Sequence, residues 1–425
     1  MCIMANCPSP ICRDFDGGLM TQNFVPKSEA EVAEAVRWAI AGKQSLAVSG
    51  SGSKRGWGRP AETSATLSLK ALGGIDLYEP EELVLSAHAG TTMSELEQRL
   101  AQHGQQFAFE PPDFGPLFGI AAGQGTLGGA IGCNLSGPRR IAAGAARDHV
   151  LGFSGVNGLA ETFKAGGRVV KNVTGFDLSK LLSGSFGTLA VMTHITIKVL
   201  PAPEDSRSLL IFDADAQKAI GIMGAALRSP HEIGGAAYLP AHVAARSHVS
   251  PIAHAAKPVV VLRLEGAAPS VAARIETLKD LLKDRGEIAE LATIESRALW
   301  REIRDVAPYV GDAARAVWHI SVPPAAGATI VAEAVMAGDD FYFDWGGGRI
   351  WLASASDVAA AAIRIRRAVA ACGGHATLIR ADDAARRSVP VFEPPSRAEA
   401  ALIGRLKDNF DPHRIFNPGR MYEGL

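Results

Sequence analysis

The chain has 425 residues, enough for two or three domains, and its 47% hydrophobic content can fill large cores. A formal net charge of −1 gives no footprint for nucleic acid or an anionic membrane surface. No apolar run reaches the ~18–20 residues of a membrane span, and the start MCIMANCPSPICRDFDGG lacks the basic and apolar regions of a secretory signal. The expectation is a cytoplasmic protein that meets a membrane only through a partner.

Residues 1–20 read as a flexible leader. Cys2, Cys7 and Cys12 are evenly spaced within it rather than paired as C-x-x-C, so a metal or cluster site there is not expected. Order begins near Asn23. Ser28 to Glu31 form a capping box, Val32, Val36 and Ile40 follow at helical spacing, and Gly42 stops the helix. Ser45–Ser49 is a short strand. It runs into SGSGSKRGWGRP, Ser49–Pro60, a loop with four glycines. A Walker A reading fails because no Gly-Lys-Ser/Thr closes the loop. A Rossmann reading fails because Trp57-Gly58-Arg59-Pro60 is a poor helix start. A strand-to-strand loop remains, its amides forming an anion nest with Ser51 and Ser53 adding hydroxyls. An ordinary surface loop is the bland alternative.

Short strands follow at Thr66–Leu69 and Leu83–Ala87. A helix starts at the Thr92–Glu95 capping box and stops at Gly104. This order predicts an α+β layer rather than a doubly wound sheet. Pro111–Gly123 is irregular and stiff. Gly123, Gly125 and Gly128 then match the G-x-G-x-x-G pattern, with Asp148 lying 20 residues beyond Gly128. No strand precedes it, and Asn134 to Pro138 end any following helix within two turns, so it is a decoy. Val150–Val156 reads as a strand. Leu159–Lys164 and Arg168–Lys171 flank a Gly-Gly hairpin signal, Gly175–Ser183 is a helix, and Leu189–Val199 is a long strand. Pro201 and Pro203 mark a boundary.

The second half reads as another α+β domain. Strands are expected at Ser208–Phe212, Val259–Leu264 and Ile350–Leu352, and helices at Asp215–Leu227, Ser270–Arg285 and Asp357–Cys372. Asp344–Trp351, DWGGGRIW, is a hairpin turn or a place where Trp345 or Arg349 meets a substrate. No long internal repeat is visible. The end, Phe410–Leu425, is a polar tail able to fold back on the first domain.

The phrases PPDFG, GQGTLGGAIGCNLSGPRR, KNVTGFDLSKLLSGSFGTLAV, DWGGG and NPGRMYEGL occur in this order. Together they resemble the vanillyl-alcohol-oxidase-type (PCMH-type) FAD-binding family and, within it, the FAD-binding subunits of bacterial glycolate oxidases. The resemblance runs from Asn23 to Leu425. It implies an α+β protein with a two-part PCMH-type FAD-binding domain at residues 21–203 and an α+β cap at 204–380. A segment at 381–425 would close on the FAD domain. It further implies that Ser49, Gly50, Ser51, Gly52, Ser53 and Lys54 bind the pyrophosphate. Gly125, Thr126, Gly128 and Gly129 would line the diphosphate and ribityl region, with Asn134, Ser136 and Arg139 in the same wall. Leu189 and Val191 would present backbone, Pro111 and Asp113 would pack by the flavin ring, and Asn417 would close over it.

No histidine or cysteine occupies Ser49–Gly56, where many relatives attach the cofactor covalently, so noncovalent FAD is expected. The H-x-G-x-x-N-x-H motif by which stand-alone relatives bind a metal and a hydroxy acid is missing, so no metal is expected and the catalytic residues stay unassigned. His319, His375, Arg349 and Arg380 are weak candidates for a hydroxy-acid site. The resemblance implies two partners, a larger FAD-linked glycolate oxidase subunit and an iron–sulfur subunit, and a 2-hydroxy acid substrate such as glycolate or D-lactate. The missing motif favours the partner holding the main catalytic site while this chain relays electrons. A self-sufficient FAD oxidoreductase and a non-catalytic scaffold are the alternatives.

Overall fold

The computed structural model describes residues 22–167 and 176–424. The leader with its three cysteines, the expected strand Arg168–Lys171 and the first residue of the expected Gly175–Ser183 helix lie outside them.

The first helix, Glu29–Gly42, begins where the Ser28 hydroxyl accepts the Glu31 amide, and it buries Val32, Val36 and Ala39. Lys43, not Gly42, takes the left-handed C-cap, at φ 50°. The second, Met93–Ala101, is capped by Thr92 and buries Leu96 and Leu100. Between them run Leu46–Ser49 and Ala65–Ser68, which pair in parallel, with Gln22–Phe24 on the far side of Ala65–Ser68. A second, antiparallel sheet has the order Ile75–Glu79, Val84–His88, Ala190–Lys198, Val150–Asn157, Thr162–Gly166. Its first strand was not foreseen, because Ile75-Asp-Leu-Tyr-Glu buries no residue fully. The G-x-G-x-x-G stretch leads only to the six-residue helix Leu127–Gly132, capped by Thr126.

The cap is built on one eight-stranded antiparallel sheet. Its order is Ile288–Leu291, Asp205–Phe212, Val259–Gly266, Gly235–Leu239, Asp340–Asp344, Arg349–Ser354, Ala316–Ser321, His375–Arg380. Setting aside the short helices Ala241–Ala244 and Ser250–Ala255 and the linking helix Thr293–Arg304, the chain order is strand, helix, strand, strand, helix, strand, twice over. Each half has the split βαβ topology, and the halves join where Tyr238 faces Phe343. The cap therefore carries a structural repeat that no self-similarity of sequence announced. Helices Ala216–Leu227 and Ala268–Leu282 cover the first half, and Gly327–Ala334 and Val358–Ala370 the second.

The cap sits on residues 110–140 of the first domain. Glu110 and Arg139 meet Arg263 and Glu265 there: Arg139 donates to Glu265 at 2.8 and 2.7 Å, and Arg263 to Glu110 at 2.8 and 3.0 Å. The C-terminal segment forms helix Arg397–Phe410 and then lies along Leu46–Ser49. The Leu46 amide donates to the Ile415 carbonyl at 2.7 Å, and the Asn417 amide to the Leu46 carbonyl at 3.0 Å. Lys407, fully buried, fixes this return by donating to Asp411, Thr188 O and Phe416 O.

Candidate active site

Two adjoining clefts lie where the first domain meets the C-terminal segment, and the second is lined by the cap as well. The first, of about 390 Å³, is floored by the glycine loop after strand Leu46–Ser49. Close approach sets this sequence. A Cβ on Gly50 would stand 2.1 Å from Thr126 Oγ1, and Gly52 adopts φ +84°. The Ser68 hydroxyl donates to the Gly50 carbonyl at 3.0 Å, and Ser51 donates to the Gln124 carbonyl, so the loop is tied to its neighbours on both sides. Asn417 clasps it from the C-terminal segment. Its Oδ1 accepts the Val48 amide at 2.9 Å, and its Nδ2 donates to the Phe186 carbonyl at 2.8 Å.

The charges in this cleft are lopsided. Lys54, Arg55, Arg59, Arg386, Arg387 and Arg420 line it against one carboxylate, Asp383, which Arg386 already engages. Arg420 reaches in from the tail and donates to the Lys54 and Trp57 carbonyls at 3.2 and 2.7 Å. Ser49 Oγ is buried with no protein partner among the described residues. A cradle without side chains, an excess of guanidinium groups and an orphaned hydroxyl fit the dianionic diphosphate of a dinucleotide.

The second cleft, of about 650 Å³, shares Cys133 and Phe186 with the first. Trp57, Phe114, Trp351, Phe392 and Tyr422 form its apolar wall, and Arg140, His319, Arg349 and His375 its polar one. The hairpin of DWGGGRIW pairs Asp344 with Arg349 across the turn. The hairpin reading holds, and the hairpin delivers Arg349 to the cleft. Burial holds the Cys133 thiol above its usual range, which keeps it protonated.

Eleven of the residues singled out in the sequence line the first cleft: Ser49, Gly50, Ser51, Gly52, Ser53, Lys54, Thr126, Gly128, Gly129, Val191 and Asn417. The other seven stand elsewhere. Gly125 lies behind the wall, its carbonyl accepting the Met93 amide at 2.8 Å. Asn134 and Ser136 line the second cleft, not the first. Leu189 is buried in the core of the first domain. Pro111 and Asp113 line neither cleft, although their neighbours Pro112 and Phe114 do. Asp113 instead braces its own loop, accepting the Gly115 and Gly123 amides at 3.0 and 2.6 Å. Arg139 is spent on Glu110 and Glu265 at the cap interface. The arginines at 386, 387 and 420 went unassigned. Arg420 lay within the NPGRM phrase, whereas Arg386-Arg387 gave no signal beyond being a basic pair. Arg380 lines neither cleft and ties Leu117, Tyr309 and Asp312 together through their carbonyls.

This architecture defines a flavoprotein of the two-part, PCMH-type FAD-binding class with an α+β cap domain. The description "FAD binding domain" matches residues 22–166. Glycolate oxidase subunit GlcE of Escherichia coli is 34% identical over 92% of this chain and 97% of that protein. D-2-hydroxyglutarate dehydrogenase of Xanthomonas citri pv. viticola is 26% identical over 94% of this chain and 88% of that one. Among solved structures, p-cresol methylhydroxylase with bound substrate shares the fold at a TM-score of 0.72 and 13% identity, over 95% of this chain and 89% of that one. The chain belongs to the family of FAD-binding glycolate oxidase subunits and is an FAD-dependent oxidoreductase. No helix among the described residues is long and apolar enough to cross a membrane.

Proposed function

We propose that this chain is the FAD-binding subunit of a complex that oxidises glycolate to glyoxylate, working with a larger flavin subunit and an iron–sulfur subunit. The observation that carries this is the first cleft, glycine-floored and arginine-lined, in a chain similar to a glycolate oxidase subunit over nearly its whole length. When bound, FAD supplies the two-electron acceptor that glycolate oxidation needs. The protein's own part is placement. The amides of Gly50–Lys54 and the side chains of Lys54, Arg386 and Arg420 hold the diphosphate. Ser49 Oγ offers one more hydrogen bond, and Asn417 pins the tail over the site. The apolar wall of the second cleft keeps water from the reacting end.

FAD is held noncovalently. The glycine loop has no histidine or cysteine, and the one thiol lining the cleft, Cys133, is kept protonated by burial. Acid precipitation tests this: the yellow colour is expected in the supernatant, and colour retained in the pellet would refute it. Affinity purification of the native chain tests the assembly. A larger flavoprotein and a cysteine-rich protein should elute with it, and recovery of the chain alone at full glycolate-oxidising rate would overturn the complex.

A further inference from the structure

The second cleft is lined by two arginines, Arg140 and Arg349, and by two carboxylates, Glu393 and Glu399, and neither carboxylate pairs with either arginine. Arg349 is buried and lies over Trp345, with Cζ 3.4 Å from the ring centroid. Its Nη1 donates to the Ser136 carbonyl at 2.9 Å, and its Nε to His319 Nε2 at 3.0 Å. Accepting that bond requires His319 to be neutral with its proton on Nδ1. Burial and the Arg349 charge also hold its pKa well below the usual range, so His319 adds no positive charge. Arg140 stacks on the same indole, with Cζ 4.6 Å from the centroid.

The negative side is thin. Asp344 Oδ2 lies 3.6 Å from Arg349 Nη1, and it is the only ion-pair partner either arginine has among the described residues. That pair is under-compensated: burial pushes Asp344 up to about 6 and Arg349 down to about 9. The other carboxylates on this cleft are committed elsewhere. Glu393 accepts from Arg366 Nη1 at 2.7 Å and from the Ala376 amide at 3.0 Å. Glu399 closes the capping box of helix Arg397–Phe410 by accepting the Ser396 amide at 2.7 Å. Two guanidinium groups thus share one aromatic platform, and only Arg349 has a carboxylate at ion-pair distance. Planar donors on an apolar floor suit a small planar anion with two acceptor oxygens.

We propose that Arg140 and Arg349 form a carboxylate clamp, which makes the second cleft a binding site for a small 2-hydroxy or 2-oxo monocarboxylate. The chain then binds the acid itself and is more than an electron relay. The oxidative role of the clamp rests on the reading that FAD fills the first cleft, because Cys133 and Phe186 line both clefts. Anion binding as such does not depend on it.

The test uses the full chain as purified, titrated with oxamate, a planar monocarboxylate that is not oxidised. Binding is read from tryptophan fluorescence, since Trp345 and Trp351 adjoin the clamp, and from the flavin difference spectrum. Saturable oxamate binding is expected. Arg140→Gln should weaken it by about tenfold or more, at unchanged flavin content and melting temperature. Sulfate should compete poorly. Oxamate binding that is absent, equal in Arg140→Gln, or matched in affinity by sulfate overturns the clamp. Flavin-free protein that still binds oxamate through Arg140 sustains the clamp and refutes the FAD assignment. Flavin-saturated protein that does not bind oxamate refutes the clamp and leaves FAD in place.

Discussion

Gly50 shows how a single position shapes the first cleft. Its missing Cβ leaves room for Thr126, which caps the short helix at the opposite wall. Gly50→Ala forces these two apart, and FAD affinity should fall by about tenfold or more, measured by flavin fluorescence on reconstitution. Arg420→Ala removes a cation and frees the Lys54 and Trp57 carbonyls. A fall of about tenfold in the same assay is expected, with a smaller loss for Arg420→Lys because the positive charge is kept. The glycine loop was legible in the sequence because unusual dihedrals and close approach demand glycine. The second source of charge was not. Arg386 lies 328 positions from Gly58, whose carbonyl it contacts, and no local pattern encodes a contact across that span.

At the level of elements, helices were easier to read than strands. Ser28, Thr92 and Asp215 each cap a helix by accepting an amide three residues on, and such caps are local chemistry; Ser396 caps Arg397–Phe410 in the same way, a helix the sequence reading did not include. Cap strands such as Gly235–Leu239 and Ala316–Ser321 are short and buried on both faces or nearly so, which removes the alternation that marks a strand. The interface ion cluster belongs to this scale. Burial alone would raise the Glu265 carboxyl, but Arg263 and Arg139 more than offset it and hold it at about 2. Its unfolded value is about 4.3. The folded form is therefore the stronger acid, so its stabilisation is complete above that unfolded value and is lost as pH falls towards 2. The shift corresponds to about 3 kcal/mol. Glu265→Gln should cost about 3–5 kcal/mol at pH 7 by leaving Arg139 and Arg263 short of a partner, and should flatten the acid limb of stability. Urea midpoints at pH 3 to 7 check both outcomes.

Across the whole molecule, the first domain, cap and tail are interlocked. Trp57, Phe114 and Leu117 of the first domain share a buried cluster with the cap, and Lys407 binds the tail into the first domain. The chain should unfold in one cooperative transition, with calorimetric and van't Hoff enthalpies agreeing. Two separate transitions would show that the interface is weaker than its buried contacts imply. Lys407→Met should lower the melting temperature and release FAD together, because Asp411 loses its ion-pair partner and the Phe416 carbonyl next to Asn417 loses its donor. The sequence by itself determined the α+β class, the capped helices, the glycine loop and the family, since each rests on local chemistry or on phrases in a fixed order. Only the tertiary structure decided which residues face which cleft. It placed Arg139 and Asp113 in ion pairs and loop bracing, brought Arg386 and Arg420 to the first cleft, and revealed the duplicated cap. Those outcomes depend on pairings between distant segments, where burial and charge balance, not adjacency, choose the partner.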